Sequence, residues 1–439
     1  MQHALRPALA GMAAMLASSL CSLLDALLLG RSSAAHAAAV SSCLPLLAVI
    51  QTIGFTLGTG AGSHVSRSLG GGDKPSAAAS AQAAYRMALL SSVPLCALAL
   101  VCRAPLVRLL GADGDAAGPA QAYAFFVLLS GPLLCMNLLL SSLLRGVGRM
   151  KAYTAAYVLG AALGAALQLA LIRRFGVIGS GSAMLARELC TLCILFFFAR
   201  KGESFLLPRI RPVPLSAAAG VIRSGMPVLV RQGLTSVSAA ITAHTAAGFG
   251  QPVLAGTGLA ARAVMLISSA VIGYAQGFQP AIGYAAGQND MKNARRSGRM
   301  LLISTVVPLL IAGAAVYALA PRLLAPFQPE AAVMEVAVHA LRAQSAVFFA
   351  QGAVIAMTTL TQALGMTVRG SAVAASRQGF ILIPLLLILP RAFGLTGLIL
   401  CPAVSDILSL LLCLLLTAPV LRCSSCAPCG CSDARKASR

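Results

Sequence analysis

Polar residues in this sequence come in short bursts, separated by apolar stretches of about 18 to 30 residues, the length at which an α-helix crosses a bilayer. Followed from the start, that rhythm predicts helices over 8–30, 37–62, 79–101, 121–144, 154–172 and 177–199. It then predicts helices over 225–248, 254–283, 298–320, 338–364, 374–391 and 395–419. The runs are unbroken rather than alternating, which excludes transmembrane strands with a polar lumen face. The fold class is therefore all-α integral membrane, with about twelve transmembrane helices. The longest polar interruption, KGESFLLPRIRPVPLSAAAGVIRSG at 201–225, falls mid-chain. It divides the protein into an N-terminal six-helix lobe (1–200), a cytoplasmic linker (201–224), a C-terminal six-helix lobe (225–420) and a cytoplasmic Cys-rich tail (421–439).

Composition agrees: 58% of residues are apolar and 10% charged, more apolar surface than a soluble domain can bury. The net charge of +22 suggests a nucleic-acid binder only until the positions are read. Lys and Arg sit in connections that alternate in richness, about 23 of them on one side and about 7 on the other. That asymmetry places both termini in the cytoplasm, and the location expected is the cytoplasmic (inner) membrane, crossed many times. With no Trp and seven Tyr, helix ends are anchored mainly by Arg. The thirteen Cys lie largely inside helices (Cys21, Cys96, Cys135, Cys190, Cys413) and offer no disulfide framework. The first apolar run followed by AAHAAA loosely imitates a signal peptide, but its length and its Asp25 make it a span.

The halves repeat. Gly60 and Gly70-x-x-Asp73-x-x-x-Ala77 recur 217 residues later as Gly277 and Gly287-x-x-Asp290-x-x-x-Ala294, and Gly148 maps onto Gly365 with the same offset. Phe175-Gly-x-x-Gly179 recurs one residue further on, at Phe393-Gly-x-x-Gly397. An even number of helices per half makes the repeat parallel, with a pseudo-twofold axis along the membrane normal. Two such bundles enclose a central cleft, the architecture of a transporter that works by alternating access.

Only three acids fall inside predicted helices: Asp25, Glu188 and Asp406. A charged Asp at a span centre costs about 3 kcal/mol, which favours its protonated form and makes it a proton carrier. Ser18, Cys21, Ser22 and Asp25 share one helix face suited to a bundle interior. The alternative for Asp25 is a place near the outer interface, paired with Arg31 or water. Glu188 follows Arg187 directly, and side chains at i and i+1 do not face each other, so no ready ion pair is expected there. Glu188 is read as structural, with Arg262 or Arg377 as the anchoring charge, while Asp406, its repeat equivalent, joins Asp25 as a coupling candidate. Intramembrane amides and Met form a candidate substrate cavity: Gln51, Asn137, Gln168, Gln276, Gln279 and Gln351 with Met136, Met265 and Met357. Interhelical hydrogen bonding is the alternative role for each amide, as it is for Gln232. His64 and His244 are either proton relays or satisfied core residues. The tail places Cys423, Cys426, Cys429 and Cys431 in a spacing that departs from the usual cluster run, so reactive or acylated thiols are expected there and no metal. GGGDK at 70–74 lacks the ending of a phosphate loop, and no catalytic motif is present, so the chain is not read as an enzyme.

Several segments resemble, in order and over nearly the whole chain, the multidrug and toxic-compound extrusion (MATE) transporters. They are GTGAGSHVSRSLGGGDKPSA (58–77), GFGQPVLAGTGLAAR (248–262), GYAQGFQPAIGYAAG (273–287), the stretch from Gln344 to Gly365 ending in TQALG, and ASRQGFILIPLLLILPRAFGLTGLILCPAVSD (375–406). The resemblance implies two six-helix lobes that export organic, often cationic compounds against an inward proton or sodium gradient, with a functional carboxylate at Asp25. The sequence departs from that family where Asn and Asp are frequent in the fifth helix, since Ala162 and Ala166 stand there, and where ITAHTAAG (241–248) replaces a segment in which Asn is common. A sodium site needs several oxygens and a proton only one titrating group, so the departures favour proton coupling or a degenerate member with weak coupling. The expectation is a monomeric antiporter in membrane lipid, with a small organic substrate, no nucleic acid and no cofactor beyond the coupling ion. The alternatives are a flippase of lipid-linked amphiphiles, marked by a cavity rich in cations, and a non-transporting scaffold or sensor acting through the tail.

Overall fold

The computed structural model describes residues 2–32, 34–110, 117–201, 206–208, 214–327 and 330–422, and among these every regular element is helical. Met1 and Cys423, Cys426, Cys429 and Cys431 of the tail lie outside the described residues. The chain packs as two compact units that divide at Gly225 and Met226.

The N-terminal unit contains α1 (Gln2–Ser32), α2 (Ala34–Gly70), α3 (Lys74–Val101), the short α4 (Arg103–Leu109), α5 (Ala117–Gly146), α6 (Met150–Arg200) and the start of α7 (Leu215–Gly248). The C-terminal unit holds the rest of α7, α8 (Gln251–Gly287), α9 (Met291–Leu324), α10 (Ala331–Ser345), α11 (Phe348–Ala363), α12 (Thr367–Ala375) and α13 (Leu382–Arg422). Residues 215–224, expected as the end of a linker, are helical. Gly60 on α2 lies against the backbone of Val221 and Gly225, and Gly225 lies against Thr56, so these first turns pack within the N-terminal unit. The preceding segment is stitched to α3, where Gln82 Nε2 and Tyr85 Oη donate to the carbonyls of Leu207 and Leu206, each at 2.7 Å.

Eight helices among the described residues are long and apolar enough to cross a membrane, and α10 and α11, bent by 55° at their junction, are long and apolar enough only when taken together. Two of the eight, at 51 and 50 residues, are too long for one crossing. Each turns back on a left-handed glycine: Gly176 (φ 54°, ψ −124°) inside α6 and Gly394 (φ 57°, ψ −137°) inside α13. Glycine reaches that conformation at no steric cost, and an L side chain at either position is strained. Those turns separate helices expected at 154–172 from 177–199 and at 374–391 from 395–419. The repeat read from the sequence is thus a repeat of backbone geometry. Gly148 and Gly365 share left-handed φ values of 84° and 76°. The turns they close use matching bonds, Arg149 N–H to Leu144 and Met366 N–H to Thr361, at 2.8 and 2.9 Å. Asp73 and Asp290 cap α3 and α9 through bonds from the N–H groups of Ser76 and Asn293.

The break between α10 and α11, at Ala346 and Val347, was expected as continuous helix over 338–364. A π turn at Ser376–Phe380 likewise interrupts the helix expected from 374. Its wider ring is closed by the Ile381 N–H on the Ser376 carbonyl at 3.0 Å, and Pro384, four residues beyond Phe380, has no N–H to offer the Phe380 carbonyl.

With no hydrophobic drive between spans in lipid, close backbone approach holds such helices together. On α2, Gly54, Gly58 and Gly62 fall every four residues and face α5. A Cβ on Gly58 would stand 2.7 Å from the carbonyl oxygen of Leu138, and one on Gly62 2.6 Å from that of Ser142. Gly146 on α5 returns the contact, 2.6 Å from the Gly62 carbonyl. Gly58→Leu is therefore expected to destabilise the N-terminal unit by about 1–3 kcal/mol, read as a lower thermal midpoint of the detergent-solubilised protein. Leu90, Leu98, Ile311 and Leu415 stay exposed, as lipid-facing positions do.

Candidate functional site

A polar seam runs between α1 and the two halves of α6. Asp25 and Cys21 stand one turn apart on α1. Beyond the Gly176 turn, Ser180, Arg187 and Thr191 line one face of the second half of α6 by their spacing. Ser180 Oγ donates to Asp25 Oδ1 at 2.6 Å, and the buried Tyr123 of α5 lies beside both groups. Arg187 Nη1 reaches Cys21 Sγ at 3.7 Å, and Cys21 is 3.7 Å from Gln168 Oε1 on the first half of α6. Gly164 makes the room: a Cβ there would lie 2.9 Å from Arg187 Cδ and 3.2 Å from Cys21 Sγ. Above the turn, His36 covers Gly176, 2.7 Å from where a Cβ would sit.

Arg187 and Glu188 form an ion pair, against the sequence expectation. Nη2 and Nε of Arg187 approach Glu188 Oε1 at 2.8 and 3.2 Å. The i,i+1 rule concerns the direction in which two side chains leave the helix. A guanidinium on its long stem folds sideways and meets a neighbouring carboxylate all the same. The cation that anchors Glu188 is thus its own neighbour, not Arg262 or Arg377; Arg262 is exposed on α8. Asn137 Nδ2 completes the site, donating to Oε2 and to the backbone carbonyl of Glu188, both at 2.8 Å.

The C-terminal unit places its carboxylate differently. Asp406 is 1% exposed, with Arg377 Nε at 2.5 Å on Oδ1 and Gln344 Nε2 at 3.0 Å on Oδ2. The π turn carries Arg377 into this position, and Ser405 Oγ ties down the Arg377 carbonyl at 2.9 Å. Glu188 and Asp406 are equivalent in the repeat and each meets one arginine. Asp25 is different: among the described residues it has a hydroxyl partner and no ion pair.

The candidate cavity residues are dispersed. Asn137, Gln168 and Gln351 are buried and bonded within their own units, Gln351 to Ser268. Gln51, Gln276, Gln279 and Met136 are half-buried, Met357 is buried in the C-terminal unit, and Met265 is 72% exposed. His64 is braced between α2 and α3, with Nδ1 3.0 Å from Ser80 Oγ, whereas His244 is exposed. Ala162 and Ala166 are exposed, while Gly164 and Gln168 of the same helix are buried. Sequence reasoning passed over Ser180, Tyr123 and Gln344. Only the position of Ser180, just after the repeated Phe175-Gly-x-x-Gly179 motif, marked it out.

A sequence profile of the family described as MatE matches residues 11–169 and 227–388. The chain is 24% identical over 366 residues to a multidrug export protein MepA of Staphylococcus saprophyticus subsp. saprophyticus, covering 82% of this chain and 80% of that protein. It is 23% identical over 371 residues to a MepA of Staphylococcus aureus, with the same coverage. The fold is similar to that of a multidrug resistance MATE family transporter of the MOP superfamily solved in an outward-facing conformation, with a TM-score of 0.89, 21% identity and 95% of each chain covered. It is also similar to a MOP superfamily transporter from Pyrococcus furiosus whose binding pocket is described as reversed in polarity, with a TM-score of 0.87, 21% identity and 96% of each chain covered.

Proposed function

The chain belongs to the MatE family, and from that premise we propose that it is a secondary active efflux transporter of amphipathic, cationic organic compounds in antiport with protons. Asp25 is the coupling group in this reading. The observation that carries it is the contrast among the three intramembrane carboxylates. Glu188 and Asp406 are each held by an arginine, whereas Asp25 has only the Ser180 hydroxyl among the described residues. With Asp25 ionised, the group of Asp25, Arg187 and Glu188 carries one net negative charge in a setting where unpaired charge is costly. A proton cancels that charge, and so does an organic cation. The two compete, and competition for one carboxylate is the chemical core of antiport. A sodium ion replaces several waters with oxygens, which the single hydroxyl on Asp25 supports poorly. The names of the MepA relatives support multidrug export, and the Lys and Arg asymmetry supports cytoplasmic termini.

Inside-out vesicles test the reading. A cationic dye is expected to accumulate when an inward-acidic pH gradient is imposed and to stay at equilibrium under a sodium gradient alone. Sodium-driven accumulation without a pH gradient would sink the proton assignment.

A further inference from the structure

One charge in the C-terminal unit has no use in the scheme above. On α7, Pro227, Arg231 and Leu234 recur at i, i+4 and i+7 and so share one face. That face rests on α12 and the π turn: Pro227 Cγ lies 3.5 Å from where a Cβ on Gly370 would sit, and Leu234 Cδ1 lies 2.5 Å from one on Gly379. Arg231, between them on the same face, is turned toward the stretch that holds Arg377. Arg377 is already committed to Asp406, whose second oxygen is taken by Gln344. Among the described residues no side chain accepts a hydrogen bond from Arg231, which is half-buried. Arg231, Arg377 and Asp406 together carry one net positive charge, and a guanidinium partly withdrawn from water calls for an anion. Its planar fork matches a carboxylate or phosphate better than a spherical ion. A π turn carries the second arginine, and π turns recur at functional sites.

We propose that Arg231, backed by Arg377, is an oxyanion-binding site that takes the carboxylate or phosphate group of an amphipathic compound. The site rests on the transport reading only for the source of its anion.

Binding to the purified full-length protein in detergent is the test, with N-dansylglycine and its methyl ester as probes and inorganic phosphate as competitor. The wild type is expected to bind the free acid about ten-fold more tightly than the ester, the contribution of one charged hydrogen-bonded pair. Arg231→Gln should bind the two alike at an unchanged thermal midpoint, and Arg231→Lys should keep part of the preference. Equal affinity of acid and ester in the wild type overturns the proposal, as does a preference that survives in Arg231→Gln. Displacement of the acid by inorganic phosphate at the same concentration assigns the site to a free ion and refutes the substrate half. No gradient enters the measurement, so a failure of the export reading leaves this readout intact.

Discussion

Asp25→Asn is expected to abolish uphill export. A pH gradient of one unit carries about 1.4 kcal/mol per proton, so a one-for-one antiporter sustains about a ten-fold substrate gradient per pH unit. The variant has no group to take the proton, and its substrate ratio should fall to one whatever gradient is imposed. Asn keeps the volume of the side chain and an oxygen that accepts from Ser180, so the fold and the α1–α6 seam should persist. Reconstituted vesicles with a fluorescent organic cation and a stepped external pH measure both quantities. A variant that still concentrates the dye in proportion to the pH step would move the coupling role elsewhere, with Asp406 the first place to look.

The second large effect concerns that other carboxylate. Arg377→Leu leaves Asp406 buried without its cation, and breaking a buried pair from one side costs about 3–5 kcal/mol. The thermal midpoint of the purified protein should drop accordingly, or the protein should fail to accumulate. Replacing both partners, Arg377→Leu with Asp406→Leu, removes the stranded charge and should restore most of the stability, because apolar substitutes for a buried pair are often neutral. The double variant also separates the roles of the two acids. If Asp406 serves the fold, pH-driven export survives in it; loss of export at restored stability would make Asp406 a coupling group.

Much of the fold was legible because the bilayer imposes a length on every element. Ten of the expected helices correspond to single structural segments, and the turns at Gly176 and Gly394 were marked in the sequence by a repeated Phe-Gly. The breaks that were missed carry no local mark of that kind. Ala346 and Val347 are ordinary helix-forming or apolar residues, and the π turn SRQGF contains no proline of its own. The site was half legible. A carboxylate in an apolar run is conspicuous whatever its partner, so Asp25, Glu188 and Asp406 stood out. Their partners did not. Ser180 is one serine among many in a small-residue stretch, and nothing before folding links it to a residue 155 positions earlier. The Arg187–Glu188 pair was dismissed on a rule about Cβ directions that a guanidinium on a flexible three-methylene stem does not obey. The amides looked like a cavity lining because the sequence shows their depth but not their partners, and three of them brace helices within their own unit.

The central claim is that one carboxyl, Asp25, is shared in turn by a proton and an organic cation. Proton release on substrate binding tests it most directly. The purified protein in weakly buffered detergent solution, mixed with a saturating organic cation at a series of pH values, should release protons wherever the Asp25 carboxyl is protonated before the cation binds. Asp25→Asn should bind the cation more weakly and release none. Equal proton release from the variant and the wild type would contradict the account.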